Sequence, residues 1–424
     1  MAFGQLIDQR KLNKRNHVVD MFREHGALSK ARVRQLSGYS MDTLIGIFKS
    51  LEDEGYVRAL GAGEEPPIRD QQGSCREPEA TTAIEARPAT AGTEAGATGR
   101  AKGRPPEFYC LDDERDIYLG TTFNQSGIYS VLVGFSGLLL DTRTDELQGI
   151  DDQVRFEAAF VRHFLAFLSA NSRRIPRIRR VGLALPGQHD AEKGILFHYS
   201  LMPFLKDFDL GALVRRHLSD IPLTCRHNVA GLARCILKER ELVACHDRIL
   251  YVSARAGAAH ALIQEGKILL DNGEMGHIRV SSSNRRCECG RKGCLDTVFS
   301  AKAFRSLLPK WPPATLADDL AKEKLEGGGR LRNLIEPGYQ AFSEALLDLS
   351  AAFSPDLLVL SGEMLAILPD PVAWIRDWMS EMINLDHPPS WFPKDILFRP
   401  MGSEAAAIGL CHALIEEDWM WQAD

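Results

Sequence analysis

Residues 273–280 and 287–294 read GEMGHIRV and CECGRKGC, and together they carry the most specific chemistry of the chain. The first stretch holds one histidine, and the second holds two cysteines one residue apart and a third after a glycine-containing loop. Zinc prefers four soft or borderline ligands in a tetrahedron, and three thiolates with one imidazole form a closed structural site. The alternative is a hydrophilic loop with free thiols. The spacing favours zinc as cofactor, with the ligands His277, Cys287, Cys289 and Cys294.

Composition limits the class of protein. The chain has 424 residues, is 45% hydrophobic and 25% charged, and carries a formal charge of −6. At about 150 residues per domain, this length predicts two to four domains. No apolar run reaches the ~18–20 residues that a membrane span needs, and residues 1–12 lack the apolar core of a signal peptide. Nine cysteines without an export signal indicate reduced thiols, so we expect a cytoplasmic protein.

The first 60 residues form a locally basic region, with ten Lys and Arg against seven Asp and Glu. Ser29 and Ser40 each precede a short apolar-periodic segment and are typical N-caps. Gly38 lies between these two segments, and Gly55 ends the second before a strand at residues 56–60. This order predicts a winged helix-turn-helix DNA-binding domain over residues 1–61, although a small packing module has the same pattern.

In a winged helix-turn-helix, the basic side chains of the second helix contact phosphates, and the start of the third helix faces the bases. An acidic side chain there accepts a hydrogen bond from a cytosine amine. The candidate DNA-binding residues are Lys30, Arg32, Arg34, Ser40, Met41, Asp42 and Thr43.

Composition changes again over residues 62–104, where small, polar and charged residues dominate and Ile68 and Ile84 are the only large apolar ones. Such a segment buries too little surface to offset its ordering entropy, so we predict a disordered insertion in the wing or a linker. From residue 107 onward, strand and helix patterns alternate, as in an α/β body.

The two stretches at 273–280 and 287–294, followed by Leu295-Asp296, resemble the zinc signature of the ROK family of repressors, open reading frames and sugar kinases. The N-terminal region is similar to that of the NagC/XylR-type repressors in this family. The resemblance implies two ribonuclease-H-like (actin- and sugar-kinase-type) α/β lobes with a sugar in the cleft. We therefore expect a first lobe at 105–230, a second lobe with the zinc site at 231–400, and a C-terminal helix at 401–424 packing back on the first lobe.

Kinases of this family need phosphate-binding turns and a catalytic aspartate. By resemblance, the first turn falls at residues 118–122, where Tyr118 replaces the aspartate, and the second falls at residues 253–260, which have lost most glycines. Asn228 stands at the position of the catalytic base, and an amide has no useful basicity. The adenine-side turn at 361–363 has one glycine. These departures predict that the protein is not an enzyme.

The resemblance also implies a sugar site in which carboxylates and imidazoles contact hydroxyl groups. The corresponding residues are Glu274, His277, Asp296, Asn228 and His227. Arg255 and His260 occupy the former phosphate loop, where they would bind a phosphorylated sugar or, as we expect, lie on the solvated surface.

The leading hypothesis is a transcriptional regulator, most simply a repressor, whose partners are a DNA operator and a sugar or sugar-derivative effector. The resemblance further implies a homodimer or higher homo-oligomer with no membrane association. A sugar kinase with an appended DNA-binding module is the enzymatic alternative. A scaffold whose DNA module and cleft are both relics is a third.

Overall fold

The computed structural model describes residues 2–61, 107–308, 320, 322 and 329–421. The segment 62–104, predicted to be disordered, lies outside the described residues. The described helices are α1 Ala2–His25, α2 Lys30–Ser37, α3 Met41–Asp53, α4 Gln153–Ala170, α5 Leu210–His217, α6 Asn228–Leu237, α7 Arg240–Cys245, α8 Ala301–Leu307, α9 Arg330–Phe353, α10 Glu363–Ala366, α11 Pro371–Ser380 and α12 Ala405–Trp421.

The described strands form two five-stranded and two three-stranded sheets. They are β1 Leu28–Ser29, β2 Val57–Ala59, β3 Phe108–Leu111, β4 Ile117–Phe123, β5 Gly127–Gly134, β6 Leu139–Glu146, β7 Ile178–Leu185, β8 Gln188–Asp190, β9 Ile195–His198, β10 Lys206–Asp209, β11 Leu223–His227, β12 Arg248–Ala254, β13 Ala258–Gln264, β14 Lys267–Gly273, β15 Leu357–Ser361 and β16 Asp395–Phe398.

The N-terminal module consists of α1, α2, α3 and the antiparallel sheet β1-β3-β2. The Ser29 hydroxyl accepts a hydrogen bond from the Arg32 amide, and the Ser40 hydroxyl accepts one from the Thr43 amide, as the N-cap pattern predicted. Gly38 has a left-handed φ of 70° between α2 and α3.

The expected boundary at residue 105 is wrong for this sheet. That boundary places strand β3 in the first lobe, whereas β3 pairs with β1 and β2 and completes the N-terminal module. The error has a simple cause, because the segment at 62–106 separates β3 from its partner strand in the sequence.

The two five-stranded sheets share one topology. Their strand orders are β11-β7-β4-β5-β6 and β14-β13-β12-β15-β16. When the strands of each sheet are numbered in chain order, the first sheet reads 5-4-1-2-3 and the second reads the same order in reverse. The first three strands of each sheet are antiparallel, and the last two are parallel to the first. This repetition confirms a mixed α/β body with two lobes.

Helices α6 and α12 lie between the two lobes. Helix α6 follows β11 of the first sheet and packs on β13 and β14 of the second, so the expected boundary at 230/231 cuts through a shared helix. Helix α12 packs on α6 and on β4 and β7. The crossing is tight because a Cβ at Gly409 would overlap the carbonyl of Gly231.

The C-terminal end of α12 reaches the N-terminal module. The Trp419 ring lies 5.1 Å from the rings of both Tyr56 and Phe135, and the Arg15 guanidinium lies 4.6 Å from the Trp419 ring centroid. None of the helices in the described part of the chain is both long and apolar enough to cross a membrane.

Candidate functional site

The predicted zinc ligands come together in the second lobe. The ligand atoms of His277, Cys287, Cys289 and Cys294 all lie within 4.8 Å of one another. The Cys287 Sγ is 3.7 Å from the His277 Nδ1, and the Cys289 Sγ is 3.6 Å from the Cys294 Sγ. Three thiols and one imidazole at these separations can surround a tetrahedral metal ion. This arrangement supports a metal site.

Local backbone structure explains how the ligands converge. His277 ends a short 3-10 helix, Met275–His277, and the chain then returns through a bridge between Arg279 and Cys294. The Cys287 amide donates to the Arg291 carbonyl at 2.7 Å, which closes the loop that carries Cys287 and Cys289. The loop is therefore held by its own backbone hydrogen bonds.

A cavity of about 410 Å³ lies beside this cluster, between the two five-stranded sheets. Its wall includes all five predicted sugar-binding residues. His227 and Asn228 contribute from the start of α6, and Glu274, His277 and Asp296 contribute from two 3-10 helices of the second lobe. Side chains that lie far apart in the sequence thus share one surface.

Asp296 is the carboxylate most strongly affected by this environment. Burial, with the charges of Glu274 and Glu288 nearby, raises the pKa of Asp296 to about 7. Its carboxylate is so close to the backbone of Gly257 and Gly276 that a Cβ at either glycine would clash with it. These two glycines therefore leave space for the carboxylate of Asp296, the acid that the family resemblance places directly after the zinc loop.

His227 is neutral at physiological pH. Burial, assisted by His189, whose ring stacks on it at 5.8 Å, lowers the pKa of His227 to about 4. Its Nδ1 accepts a hydrogen bond from the Val229 amide at 3.3 Å and caps α6. Because Nδ1 accepts in the neutral ring, Nε2 carries the proton and is the donor left for a ligand.

Sequence reasoning missed the residues that connect the two lobes across the cavity. His198 Nε2 of β9 lies 2.9 Å from Glu288 Oε2 in the metal loop, and the Asn124 amide donates to the Ser403 hydroxyl at 3.1 Å. Arg305 of α8 donates to the Gln125 amide oxygen. The polar run Asn124-Gln125-Ser126 after an apolar strand was the one signal available for this turn.

The first phosphate turn was placed wrongly. Residues 118–122 lie within the buried strand β4, and the Tyr118 hydroxyl donates to Asp418 of α12 at 3.1 Å. The turn that follows β4 lines the cavity through Asn124 and Gln125, next to Thr122 and Phe123 at the end of the strand. The error arose because alternation of residue types gives no signal for the end of a strand buried on both faces.

His260 is not solvated, contrary to expectation, whereas Arg255 is half-buried in the wall of the cavity. The Arg255 Nη2 donates to the carbonyls of Met401 and Gly402, at 2.8 and 3.3 Å. His260 is buried, with its ring 5.8 Å from that of Phe353, and burial lowers the pKa of His260 to about 4. His260 therefore has a packing role, whereas the Arg255 guanidinium is held by two backbone carbonyls beside the cavity.

The predicted DNA-binding residues lie in different environments. Arg32, Arg34 and Asp42 are exposed. Lys30 is half-buried: its amine donates to the Tyr109 hydroxyl at 2.7 Å and lies 4.4 Å from that ring's centroid. The remaining three residues lie at the beginning of α3 and are Ser40, Met41 and Thr43. The cap hydrogen bonds engage Ser40 and Thr43.

The chain belongs to the ROK family, whose model matches residues 153–417, in agreement with the resemblance noted in the sequence. The chain is 24% identical over 211 residues to the DNA-binding transcriptional repressor Mlc of Escherichia coli, covering 49% of this chain and 51% of that protein. It is 22% identical over 334 residues to the xylose repressor of Bacillus spizizenii, covering 76% and 83%. The chain thus matches about half the length of Mlc and more of the xylose repressor.

Solved structures show the same fold. A ROK family transcriptional regulator homologous to E. coli Mlc matches with a TM-score of 0.65 at 16% identity, covering 98% of this chain and 99% of that one. The ROK hexokinase of Thermus thermophilus matches with a TM-score of 0.54 at 19% identity, covering 71% and 99%. The body therefore has a sugar-kinase-like ROK fold.

Proposed function

We propose that the protein is a transcriptional repressor that binds an operator through a winged helix-turn-helix and responds to a sugar or sugar derivative in the cavity between its lobes. The observation that carries this proposal is the presence, in one chain, of the capped α2–α3 pair with its three-stranded sheet and of a cavity whose wall has Asn228 where the family resemblance places the catalytic base. Relatives named as repressors support it. A chromosomal operator would place the protein in the cytoplasm.

The proposed metal is zinc. Three thiols and one imidazole form a closed set without an open coordination position, which suits a structural ion rather than a catalytic one. When bound, zinc would fix the His277 ring and the loop that carries Glu288, both of which line the cavity. The protein residues would then hold the effector through their own hydrogen bonds.

The cavity suits a polyhydroxylated ligand. Glu274 and Asp296 supply acceptors for hydroxyl donors, the Asn228 amide both donates and accepts, and the His227 Nε2 donates. A cavity of about 410 Å³ is of the size that small-molecule sites have. Buried hydroxyl groups need such partners, because each one left unsatisfied weakens binding.

The alternative of a sugar kinase is disfavoured by the cavity itself. Asn228 stands at the position that the family resemblance assigns to the catalytic base, and its amide cannot accept a proton from a sugar hydroxyl at neutral pH. The Arg255 guanidinium occupies the loop in which backbone amides would bind phosphate. ATP-dependent turnover by the purified protein, abolished by Glu274→Ala, would contradict this assignment.

Helix α12 offers a route from the cavity to the DNA-binding module. Ser403 and Ala406 at its beginning line the cavity, and Trp419 near its end packs on Tyr56 of the module. A ligand shifts DNA binding only if it favours one arrangement of the two sites. A small movement at Ser403 would reach Trp419 through a helix that packs tightly against Gly231.

The proposal is tested with DNA selected from a randomised duplex pool by the full-length chain. Affinity for this DNA is then measured with and without each sugar and sugar phosphate of a panel that stabilises the protein against thermal unfolding. Glu274→Ala should retain DNA affinity and lose the sugar response. Trp419→Ala should retain sugar binding and lose its effect on DNA, whereas Trp419→Phe should keep both. Sequence-independent DNA binding, or none, would refute the proposal.

Oligomeric state requires its own measurement. An operator with two-fold symmetry is bound by a symmetric dimer, so we propose a homodimer or higher homo-oligomer. Sedimentation equilibrium at micromolar concentration should give a mass at least twice that of one chain. A monomer on DNA and in free solution would contradict this part of the proposal.

A further inference from the structure

Helix α3 presents an unusual outward surface. Its inward side buries Leu44, Phe48 and Leu51. Residues one turn apart, at positions 42, 45, 46 and 49, lie on the opposite side and are all exposed. They are Asp42, Ile45, Gly46 and Lys49.

Ile45 is the centre of this surface. It is 51% exposed, more than Leu36 or Phe108, the other exposed large apolar side chains described in the N-terminal module. Next to it, a Cβ built on Gly46 would meet no atom within 4 Å, so the helix backbone is open to close approach. An apolar side chain beside an uncovered stretch of backbone forms a contact surface with a shallow recess.

Charge around this surface indicates the kind of partner. Lys49 lies one turn beyond Ile45 on α3, and Arg32 and Arg34 are exposed on the preceding helix. A single exposed apolar residue needs no explanation in itself. Here it stands on the helix that the proposed function places in the major groove, with Lys49 on the same helix surface and exposed arginines on the preceding helix to meet phosphates.

We infer, on the basis of the DNA-binding function proposed above, that Ile45 recognises a thymine through its C5 methyl group, while Gly46 lets the helix approach the neighbouring base edges. In the major groove, thymine is distinguished by that methyl group, and apolar side chains read it by direct contact. Ile45 is thus a specificity-determining residue that the predicted set of DNA contacts did not include.

Deoxyuridine provides the test, because it lacks only the methyl group. The operator is first selected from a randomised duplex pool by the full-length chain, and each thymine is then replaced singly by deoxyuridine. At one thymine per half-site, the replacement should weaken wild-type binding about fourfold, the effect of burying one methyl group. Ile45→Ala should bind both duplexes with the same, weaker affinity.

Lys49→Ala is the matched control, since it changes the same helix surface. It should lower affinity for both duplexes and reduce the salt dependence by about one phosphate contact, while the fourfold discrimination remains. Discrimination at no thymine, or discrimination that survives Ile45→Ala, would overturn the inference while leaving the repressor proposal intact. Failure of the wild type to select any sequence would overturn both. A mass change of Ile45→Ala in sedimentation equilibrium would assign Ile45 to a subunit contact and overturn the inference.

Discussion

The two lobes each hold a cluster of closely spaced polar side chains, and the two clusters differ in access to solvent. In the first lobe, the Ser130 hydroxyl lies 2.9 Å from His163 Nε2, and Asp145 lies 2.9 Å from His163 Nδ1. In the second lobe, His277 and three cysteines converge beside the cavity. The first cluster has the residue order of a hydrolytic triad, yet Ser130 and His163 are 0% exposed.

Short distances alone therefore do not define a functional site. No substrate can reach Ser130, whose hydroxyl also lies 2.9 Å from that of Thr121. The network joins β4, β5 and β6 to α4 and satisfies polar groups that burial would otherwise leave unpaired. At the metal cluster, by contrast, Cys289 is exposed, and an ion can reach the ligands.

Removal of the metal should have the largest effect on stability. We expect about one zinc per chain, and Cys289→Ser should lose it because three ligands leave an open, weaker site. With free zinc at about 1,000 times its Kd, bound metal contributes about 4 kcal/mol to the free energy of unfolding. Elemental analysis of protein purified without chelator measures the zinc content, and thermal unfolding of the same protein measures its stability. Cys245→Ser, which changes an exposed thiol outside the cluster, is the control. Folded, reduced protein without zinc would contradict the site.

The buried network should respond differently. His163→Ala should lower the free energy of unfolding by about 3 kcal/mol, because it leaves a cavity and removes the partner of the buried Ser130 hydroxyl. Metal content and sugar binding should not change. His163→Gln keeps a donor and an acceptor and should lose less. Denaturant unfolding checks the change, and a loss of sugar binding in a folded His163→Ala variant would show that the network has a functional role.

The same network predicts a pH dependence of stability. Burial lowers the pKa of His163 although Asp145 opposes the shift, and hydrogen bonds from Arg143 and His163 outweigh burial and lower the pKa of Asp145. Below pH 6.5 the unfolded chain therefore takes up protons that the folded chain does not, so stability falls as pH falls. One such histidine contributes at most about 1.4 kcal/mol per pH unit. Unfolding between pH 5 and 8 should be less pH-dependent in His163→Ala; an unchanged slope would contradict the assignment.

The basic side chains of α2 also differ in their exposure to solvent, and we expect their substitution to have the smallest effects. Arg32→Ala with Arg34→Ala should reduce the slope of log affinity against log salt by about 2, because two phosphate contacts are lost. Lys30→Ala should leave this slope unchanged, because the Lys30 amine is engaged by Tyr109. Fluorescence anisotropy on the selected operator at several salt concentrations measures the slopes. A reduction by about one in Lys30→Ala would show that this amine leaves Tyr109 for a phosphate.

Short-range features were readable from the amino-acid sequence alone. The caps at Ser29 and Ser40, the turn at Gly38 and the metal cluster depend on residues within about twenty positions of one another. Such features follow from local hydrogen bonding and ligand chemistry, so residues that lie close together in the sequence also lie close together in the structure. The family motif around His277 extended this reading to the fold, and the matched family model bears it out.

Only the tertiary structure decided the membership of β3, the burial of Tyr118, the engagement of Lys30 and the residues that join the lobes. Each depends on a contact between distant segments, such as His198 with Glu288. Sequence patterns report which side chains are apolar or charged, but not which surface covers them. Lys30 and Arg32 are both basic residues of the same helix in the sequence. Their environments differ only because Tyr109, which follows residues 62–106 in the chain, packs against Lys30.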